Sequence, residues 1–311
     1  MKKYYLIILI VFAFSSCIND DLANKKEEAK DICIDSIIPC PVIIGQENIG
    51  CVANIIFLAE GFTQDEMTEF QTLCNIAKQA ILDMEPFTSS INSLNFYRVD
   101  SPSITSGIRT IEFTNTCNGT TGTNTTSQTP WSVFSNKIGL KRLLGLDTST
   151  RDELESLYGH YATGDYAYTI IIANSSGFFA SAEFPGVTEF NTIENPKVSN
   201  MIISKNDSGE IFKFLTRHEF GHSFGNMDDE YEDSGSNCAL KLQPWFLPIT
   251  PKLNVLTYNP NTWFEGARYS QTGYWREWNN SIMRNDYYSS EYSPIQKSIV
   301  KQRLVEAIGC D

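Results

Sequence analysis

The sequence contains little positive charge. Lysine and arginine total 24 residues against 37 aspartate and glutamate residues, and the formal net charge at pH 7 is −13. A protein that binds nucleic acid needs a basic surface to contact the phosphates, so this balance argues against such a partner. We therefore expect no nucleic-acid function.

The sequence also lacks an apolar run long enough to cross a membrane. The run at residues 4–14 is shorter than the roughly 20 residues that a spanning helix needs. It follows Met1-Lys2-Lys3 and precedes Ser15-Ser16-Cys17, an order that resembles a bacterial lipoprotein signal peptide. We expect residues 1–17 to be this signal and the exported protein to be held in the outer membrane through lipidated Cys17. An ordinary secretory signal is the alternative. The acidic residues 18–21 resemble a surface-export signal, which predicts the cell surface.

The cysteines show none of the spacings of a zinc ribbon, which argues against a thiolate metal site. There are eight in all, and lipidation of Cys17 leaves seven. An exported protein can then form up to three disulfides with one free thiol. No G-x-S-x-G pattern occurs, so a serine nucleophile lacks support.

Strand and helix patterns predict an α/β (α+β) fold. Three short apolar runs are predicted strands: residues 52–59, 95–99 and 166–174. Capping patterns mark three helix starts: at Thr63, at residues 207–210 and at Ser293-Pro294. Two stretches rich in polar and turn-forming residues are predicted loops: residues 114–129 and 231–262.

Histidine is scarce, and its placement is informative. Of three histidines, His218 and His222 flank Glu219 in an H-E-x-x-H pattern within a predicted helix. Positions i and i+4 share one face of a helix, so the two imidazoles can bind one Zn²⁺, and Glu219 can act as general base toward a metal-activated water. The alternative is a helix with two surface histidines and a solvated glutamate. His160 is expected to be structural or exposed.

The residues after this helix offer a third ligand. Gly225 is expected to end the helix with a positive φ, and the metzincin spacing then places the ligand at Asp228. Two histidines and one carboxylate leave a fourth position for water, as a catalytic zinc requires. Met283 fits the Met-turn found beneath the zinc in metzincins. The strand at residues 166–174 is either an exposed edge that pairs with a peptide substrate or a central core strand.

Several segments resemble the IgA peptidase family of secreted bacterial zinc metallopeptidases, which are metzincin-like. They are residues 54–63, 96–103, 171–177, 218–225 and 229–231, and the resemblance covers most of residues 50–311. The family implies a mixed twisted sheet, an active-site helix and a smaller C-terminal lobe. Its Asp-Glu-Tyr element falls on Asp229, one residue beyond the metzincin position, so both Asp228 and Asp229 remain candidates. Glu60-Gly61-Phe62 departs from the usual Asp-Gly-Tyr of the family.

The expected organisation is a tether at residues 18–45 and a catalytic domain at 46–311. Its upper lobe would span about 46–225 and its lower lobe about 226–311. The expected function is zinc-dependent endopeptidase cleavage of extracellular or host proteins. The alternative is a catalytically silent surface lipoprotein that binds protein or glycan through the same fold.

Other polar residues have possible supporting roles. Tyr287 or Tyr288, soon after Met283, could stabilise the oxyanion. Glu230 could orient a ligand. Together, Glu230, Glu232 and Asp233 form either a solvated acidic turn or a structural calcium site.

Overall fold

The computed structural model describes most of the chain beyond its first residues. The described ranges are 38–115, 120–124, 127–135, 143–177, 180–184, 196–232, 251–284, 289 and 291–309. The chain divides into two compact units, Met1–Cys40 and Pro41–Asp311. Among the described residues no helix is long and apolar enough to span a bilayer. The predicted signal and Cys17 lie outside these residues.

A six-stranded mixed sheet forms the centre of the second unit. Its strands are β1 (Val42–Ile43), β2 (Ala53–Glu60), β3 (Leu94–Val99), β8 (Ala167–Ala173), β9 (Ala180–Glu183) and β10 (Val198–Ser204). They are arranged in the order β1-β3-β2-β8-β10-β9. The four inner strands are parallel, and β1 and β9 run antiparallel at the two edges. Every residue of β2, β8 and β10 is buried, as expected for parallel strands covered on both faces.

The predicted strand at residues 166–174 is a central strand. It corresponds to β8, which lies between β2 and β10 and buries all its side chains. The interpretation of this segment as an exposed substrate-binding edge is therefore wrong. The edge on this side of the sheet is the short strand β9.

Two smaller sheets flank the large one. The first comprises β4 (Arg109–Asn115), β5 (Thr120–Asn124), β6 (Phe134–Ser135) and β7 (Leu144–Gly145). The second comprises β11 (Val255–Leu256), β12 (Phe264–Ala267) and β13 (Ser270–Arg276). Strands β4 and β5 are antiparallel partners, so the loop predicted for residues 114–129 is in part a hairpin. Its many threonines are β-branched and favour a strand despite their polarity.

Four helices complete the described fold. They are α1 (Met67–Leu82), α2 (Thr148–Tyr158), α3 (Gly209–Ser223) and α4 (Pro294–Ile308). Helix α3 carries the H-E-x-x-H pattern and packs its aromatic residues into the core, where Phe220 and Phe224 contact Phe87 with ring centroids 5.2 Å apart. Its N-cap is Ser208, one residue later than the start of the predicted capping pattern, and Ser208 Oγ accepts from Ile211 N.

The cysteines among the described residues differ in whether they form a disulfide. Cys51 is disulfide-bonded, whereas the exposed Cys40 and the buried Cys74 are free. The remaining cysteines lie outside the described residues.

The end of β2 requires glycine at position 61. Gly61 has φ +75, and a Cβ there would lie 2.5 Å from the carbonyl oxygen of Gly107. We expect Gly61→Ala to lower the free energy of unfolding by about 2–4 kcal/mol, because strain and overlap add. Urea unfolding measures this loss. Gly209→Ala is the matched control, since nothing lies within 4 Å of its added Cβ. Equal stability of the two variants would contradict the requirement for glycine at position 61.

Candidate metal centre

The two histidines of α3 lie at its C-terminal end, close to the start of β10. Ser199 Oγ on β10 donates to Ser223 O at 2.7 Å and holds this end of the helix to the sheet. His218 and His222 are one turn apart, and their Nε2 atoms are separated by 3.2 Å. The helix therefore brings the two imidazoles to one point, as the i, i+4 spacing predicts.

Asp229 completes a triangle of ligand atoms. Its Oδ1 lies 3.1 Å from Nε2 of each histidine. A tetrahedral zinc with bonds of 2.0–2.1 Å holds its ligand atoms about 3.3 Å apart. The three observed separations match this edge length, so the site fits one metal ion with three protein ligands. Within the described part of the chain, His218, His222 and Asp229 form the group of histidine, cysteine or acidic side chains whose ligand atoms all lie within 4.8 Å of one another.

The hydrogen bonds of both imidazoles fix their tautomers. His218 Nδ1 lies 2.9 Å from Ile282 O, and His222 Nδ1 lies 2.7 Å from Met227 O. Because a carbonyl oxygen only accepts, each Nδ1 carries the hydrogen and donates it. When Nε2 carries no proton, each ring presents an Nε2 lone pair to the centre of the triangle. Two lone pairs and a carboxylate oxygen at such separations repel one another unless a proton or a metal ion lies between them.

The charges of the site favour a cation. Burial lowers the pKa of His222, but the Asp229 carboxylate beside it outweighs this effect and raises the pKa to about 9. Burial also raises the pKa of Asp229, but the charge of His222 and hydrogen bonds from both histidines bring it well below its usual range. The carboxylate stays ionised, and a metal competes with a proton for His222.

The structure brings Asp229, and not Asp228, to the histidines. The Asp228 side chain is fully buried, its Oδ2 accepts from Lys252 N at 2.8 Å, and it lies 3.3 Å from Arg268 Nε. Lys252 and Arg268 thus engage the carboxylate that the metzincin spacing favours. The neighbouring carboxylate, on the Asp-Glu-Tyr element, faces the metal position.

A tight turn after α3 makes this arrangement possible. Asn226 N donates to His222 O at 3.1 Å, and Met227 N donates to Gly221 O at 3.2 Å. The residue with positive φ is Asn226, at 50°, so the expectation of a positive φ at Gly225 is wrong. Gly225 is needed for close approach, because a Cβ there would lie 2.7 Å from Gly221 O.

Met283 lies directly against the helix that carries the histidines. It is fully buried in the short 3-10 turn Ile282–Arg284, and a Cβ on Gly221 would overlap its sulfur. The residue before it, Ile282, supplies the carbonyl that orients His218. Met283 therefore occupies the place that the sequence predicts for a Met-turn.

Comparison with known families agrees with these observations. The family model described as IgA Peptidase M64 matches residues 51–263. The chain belongs to this family. M64 peptidases are metallopeptidases, so the chain is a peptidase whose His-His-Asp triangle is a candidate metal site. A search of the curated proteins finds no match.

In this M64 peptidase, Glu230 connects the ligand-bearing segment to the rest of the site. It is fully buried and accepts hydrogen bonds from Ser281 Oγ, Asn254 Nδ2 and Gln296 Nε2. Its backbone N–H donates to Met283 O at 2.9 Å. Burial raises the pKa of Glu230 to about 7, and the three side-chain hydrogen bonds oppose the rise. Glu230 supports the position of Asp229 because it connects the Ile282–Arg284 turn and α4 to this segment.

The other predicted site residues have separate positions. Glu219 lies on α3 between the histidines, 8 % exposed, and its charge helps to raise the pKa of His222. Glu232 pairs with Arg276 at 3.1 Å. In the described part of the chain, neither Glu230 nor Glu232 lies in a cluster of three or more side chains that could bind a metal ion.

His160 is partly buried, with its ring centroid 4.5 Å from that of Tyr161. Three predicted residues lie outside the described ranges: Asp233, Tyr287 and Tyr288.

The sequence interpretation missed several residues that contact the site. Tyr269 donates from its hydroxyl to Asp229 Oδ2. Arg268 and Lys252 lie against Asp228, and Met227 supplies a carbonyl to His222. No spacing rule connects these residues to the H-E-x-x-H pattern, because they reach it through loops of the folded chain.

Substitution of the two aspartates separates their roles. We expect Asp229→Asn to lower zinc affinity by more than about 100-fold, since even partners of ligands contribute 10–100-fold. Asp228→Asn should keep zinc binding but lose about 3–5 kcal/mol of stability, because the charge of buried Arg268 loses its partner. Chelator competition and urea unfolding measure the two effects. Zinc affinity that depends on Asp228 rather than Asp229 would contradict the assignment.

Proposed function

We propose that the protein is a zinc-dependent endopeptidase. The observation that carries this proposal is that Nε2 of the two histidines of the H-E-x-x-H helix and a carboxylate oxygen of Asp229, which follows the helix, converge with separations of 3.1–3.2 Å. Membership of a peptidase family supports the same reaction class.

The ligand chemistry favours zinc. Nitrogen donors from two histidines and one carboxylate oxygen suit a borderline-soft ion in tetrahedral geometry, whereas calcium and magnesium prefer all-oxygen sites. Three protein ligands leave a fourth position open, which distinguishes catalytic from structural zinc sites. When bound, Zn²⁺ supplies Lewis acidity that acidifies water and polarises a peptide carbonyl.

The protein groups around the site have distinct tasks in peptide hydrolysis. Glu219 accepts a proton from the attacking water and delivers it to the leaving amine. The carbonyl groups of Ile282 and Met227 keep His218 and His222 in the tautomer that directs Nε2 toward the metal.

We propose peptide segments of extracellular or host proteins as substrates, because residues 1–17 resemble an export signal. The family name refers to IgA, but a shared catalytic core does not fix the substrate. The same N-terminal residues support attachment to the outer membrane through lipidated Cys17, with the catalytic unit at the cell surface.

The general base can be tested without disturbing the metal ligands. We expect Glu219→Gln to lower peptide cleavage by about 10²–10⁴-fold while one zinc per chain remains bound. Glu210→Gln is the matched control, because it changes an exposed carboxylate on the same helix that pairs with Lys213. Peptide-library cleavage and metal analysis of the purified proteins measure both effects. Zinc without cleavage in the wild type would favour the silent surface-binding alternative.

Lipid attachment has an independent test. We expect Cys17→Ala to abolish incorporation of labelled palmitate and to release the protein from the outer-membrane fraction. Cys40→Ala, which changes an exposed free cysteine, serves as the control and should retain the label. Lipid labelling that persists in Cys17→Ala would refute the lipoprotein assignment.

A further inference from the structure

The turn between β12 and β13 has an unusual composition for its geometry. It consists of two residues, Arg268 and Tyr269, with φ values of 54° and 65°. Two-residue hairpins with positive φ at both positions normally use asparagine and glycine, because other side chains are strained there. Both residues are nevertheless buried, at 1 % and 4 % exposure. A strained backbone conformation of this kind persists only where surrounding contacts stabilise it, and such residues often lie at functional sites.

Both side chains of this turn contact an aspartate near the candidate metal site. Arg268 Nε lies 3.3 Å from Asp228 Oδ2, and the Tyr269 hydroxyl donates to Asp229 Oδ2. The backbone adds a further contact, since Arg268 N donates to Asp229 O at 3.0 Å. The turn therefore holds the ligand-bearing segment through side chains and backbone together.

The two carboxylate oxygens of Asp229 have different partners. Oδ1 lies 3.1 Å from Nε2 of His218 and of His222, whereas Oδ2 accepts from Tyr269. A carboxylate bonded in this way offers one oxygen to a metal and keeps the other engaged. If Oδ2 were released, the carboxylate could rotate and offer both oxygens, which would add a fifth ligand to the two imidazoles, Oδ1 and water.

A second tyrosine supports the first. Because a carboxylate only accepts, the Tyr269 hydroxyl donates its hydrogen bond to Asp229 and accepts one from Tyr231 Oη, 2.9 Å away. The two rings meet edge to face, with centroids 4.9 Å apart. Tyr269 N also donates to Tyr231 O at 3.0 Å. The hydroxyl of Tyr269 is thus fixed from several directions.

We propose that Tyr269 is a positioning residue that restricts Asp229 to single-oxygen coordination and so keeps the metal site four-coordinate. The inference rests on the proposed zinc function. Tyr269 lies beyond residues 51–263, to which the family model is matched.

The test uses Tyr269→Phe in the full chain, with Tyr97→Phe as the matched control. Tyr97 Oη also donates to a carboxylate, that of Glu47 at 2.9 Å, but Tyr97 lies on β3 with its ring against Tyr161. Zinc affinity is measured by competition with a chromophoric chelator. The visible spectrum of the Co²⁺-loaded protein reports coordination number, because four-coordinate Co²⁺ absorbs more strongly than five-coordinate Co²⁺.

We expect Tyr269→Phe to weaken zinc binding about 10–100-fold and to reduce the Co²⁺ absorption, with no change in Tyr97→Phe. Tyr231→Phe, which removes only the supporting donor, should shift affinity in the same direction by about 2–10-fold. Wild-type affinity and spectrum in Tyr269→Phe would overturn the positioning role alone. Absence of metal binding by the wild type at His218 and His222 would overturn the zinc proposal as well.

Discussion

Two imidazole lone pairs and one carboxylate oxygen face a single position, and the surrounding structure is arranged around that constraint. Their mutual repulsion is relieved when a proton or a metal ion lies between them. The two histidine rings are held by carbonyl groups from different parts of the chain, Met227 after α3 and Ile282 before Met283. The turn after the helix and the Met-turn are therefore both needed to direct the lone pairs.

Three consecutive acidic residues make different contacts around the candidate metal position. Asp228 is paired with Arg268, Asp229 faces the histidines, and Glu230 accepts hydrogen bonds from three separate segments. A shift of one residue along this run would bring the wrong carboxylate to each set of partners. Because all three are buried, such a shift would leave charges without compensation. Stability and metal geometry are coupled through this short segment.

The patterns that could be predicted are local ones. The strands β2, β3 and β8 and helix α3 follow from apolar runs and from spacing, and the H-E-x-x-H pattern places its histidines on one helix face. The family resemblance predicted the peptidase class, which the family match confirms.

Features that depend on long-range contacts could not be predicted in this way. The position of β8 within the sheet depends on its pairing with β2 and β10, which its own residues do not reveal. The choice between Asp228 and Asp229 depends on Arg268, and the contact of Tyr269 with Asp229 spans 40 residues. The pairing of β4 with β5 is hidden in the sequence because a stretch rich in threonine, asparagine, serine and glycine also has the composition of a loop.

The most direct test is the location of the metal in a crystal of the wild-type protein grown with zinc. Anomalous diffraction at the zinc absorption edge identifies the ion and its position together. We predict one strong peak about 2.0–2.2 Å from His218 Nε2, His222 Nε2 and Asp229 Oδ1. A peak at Asp228, or no peak between the two histidines, would contradict the account.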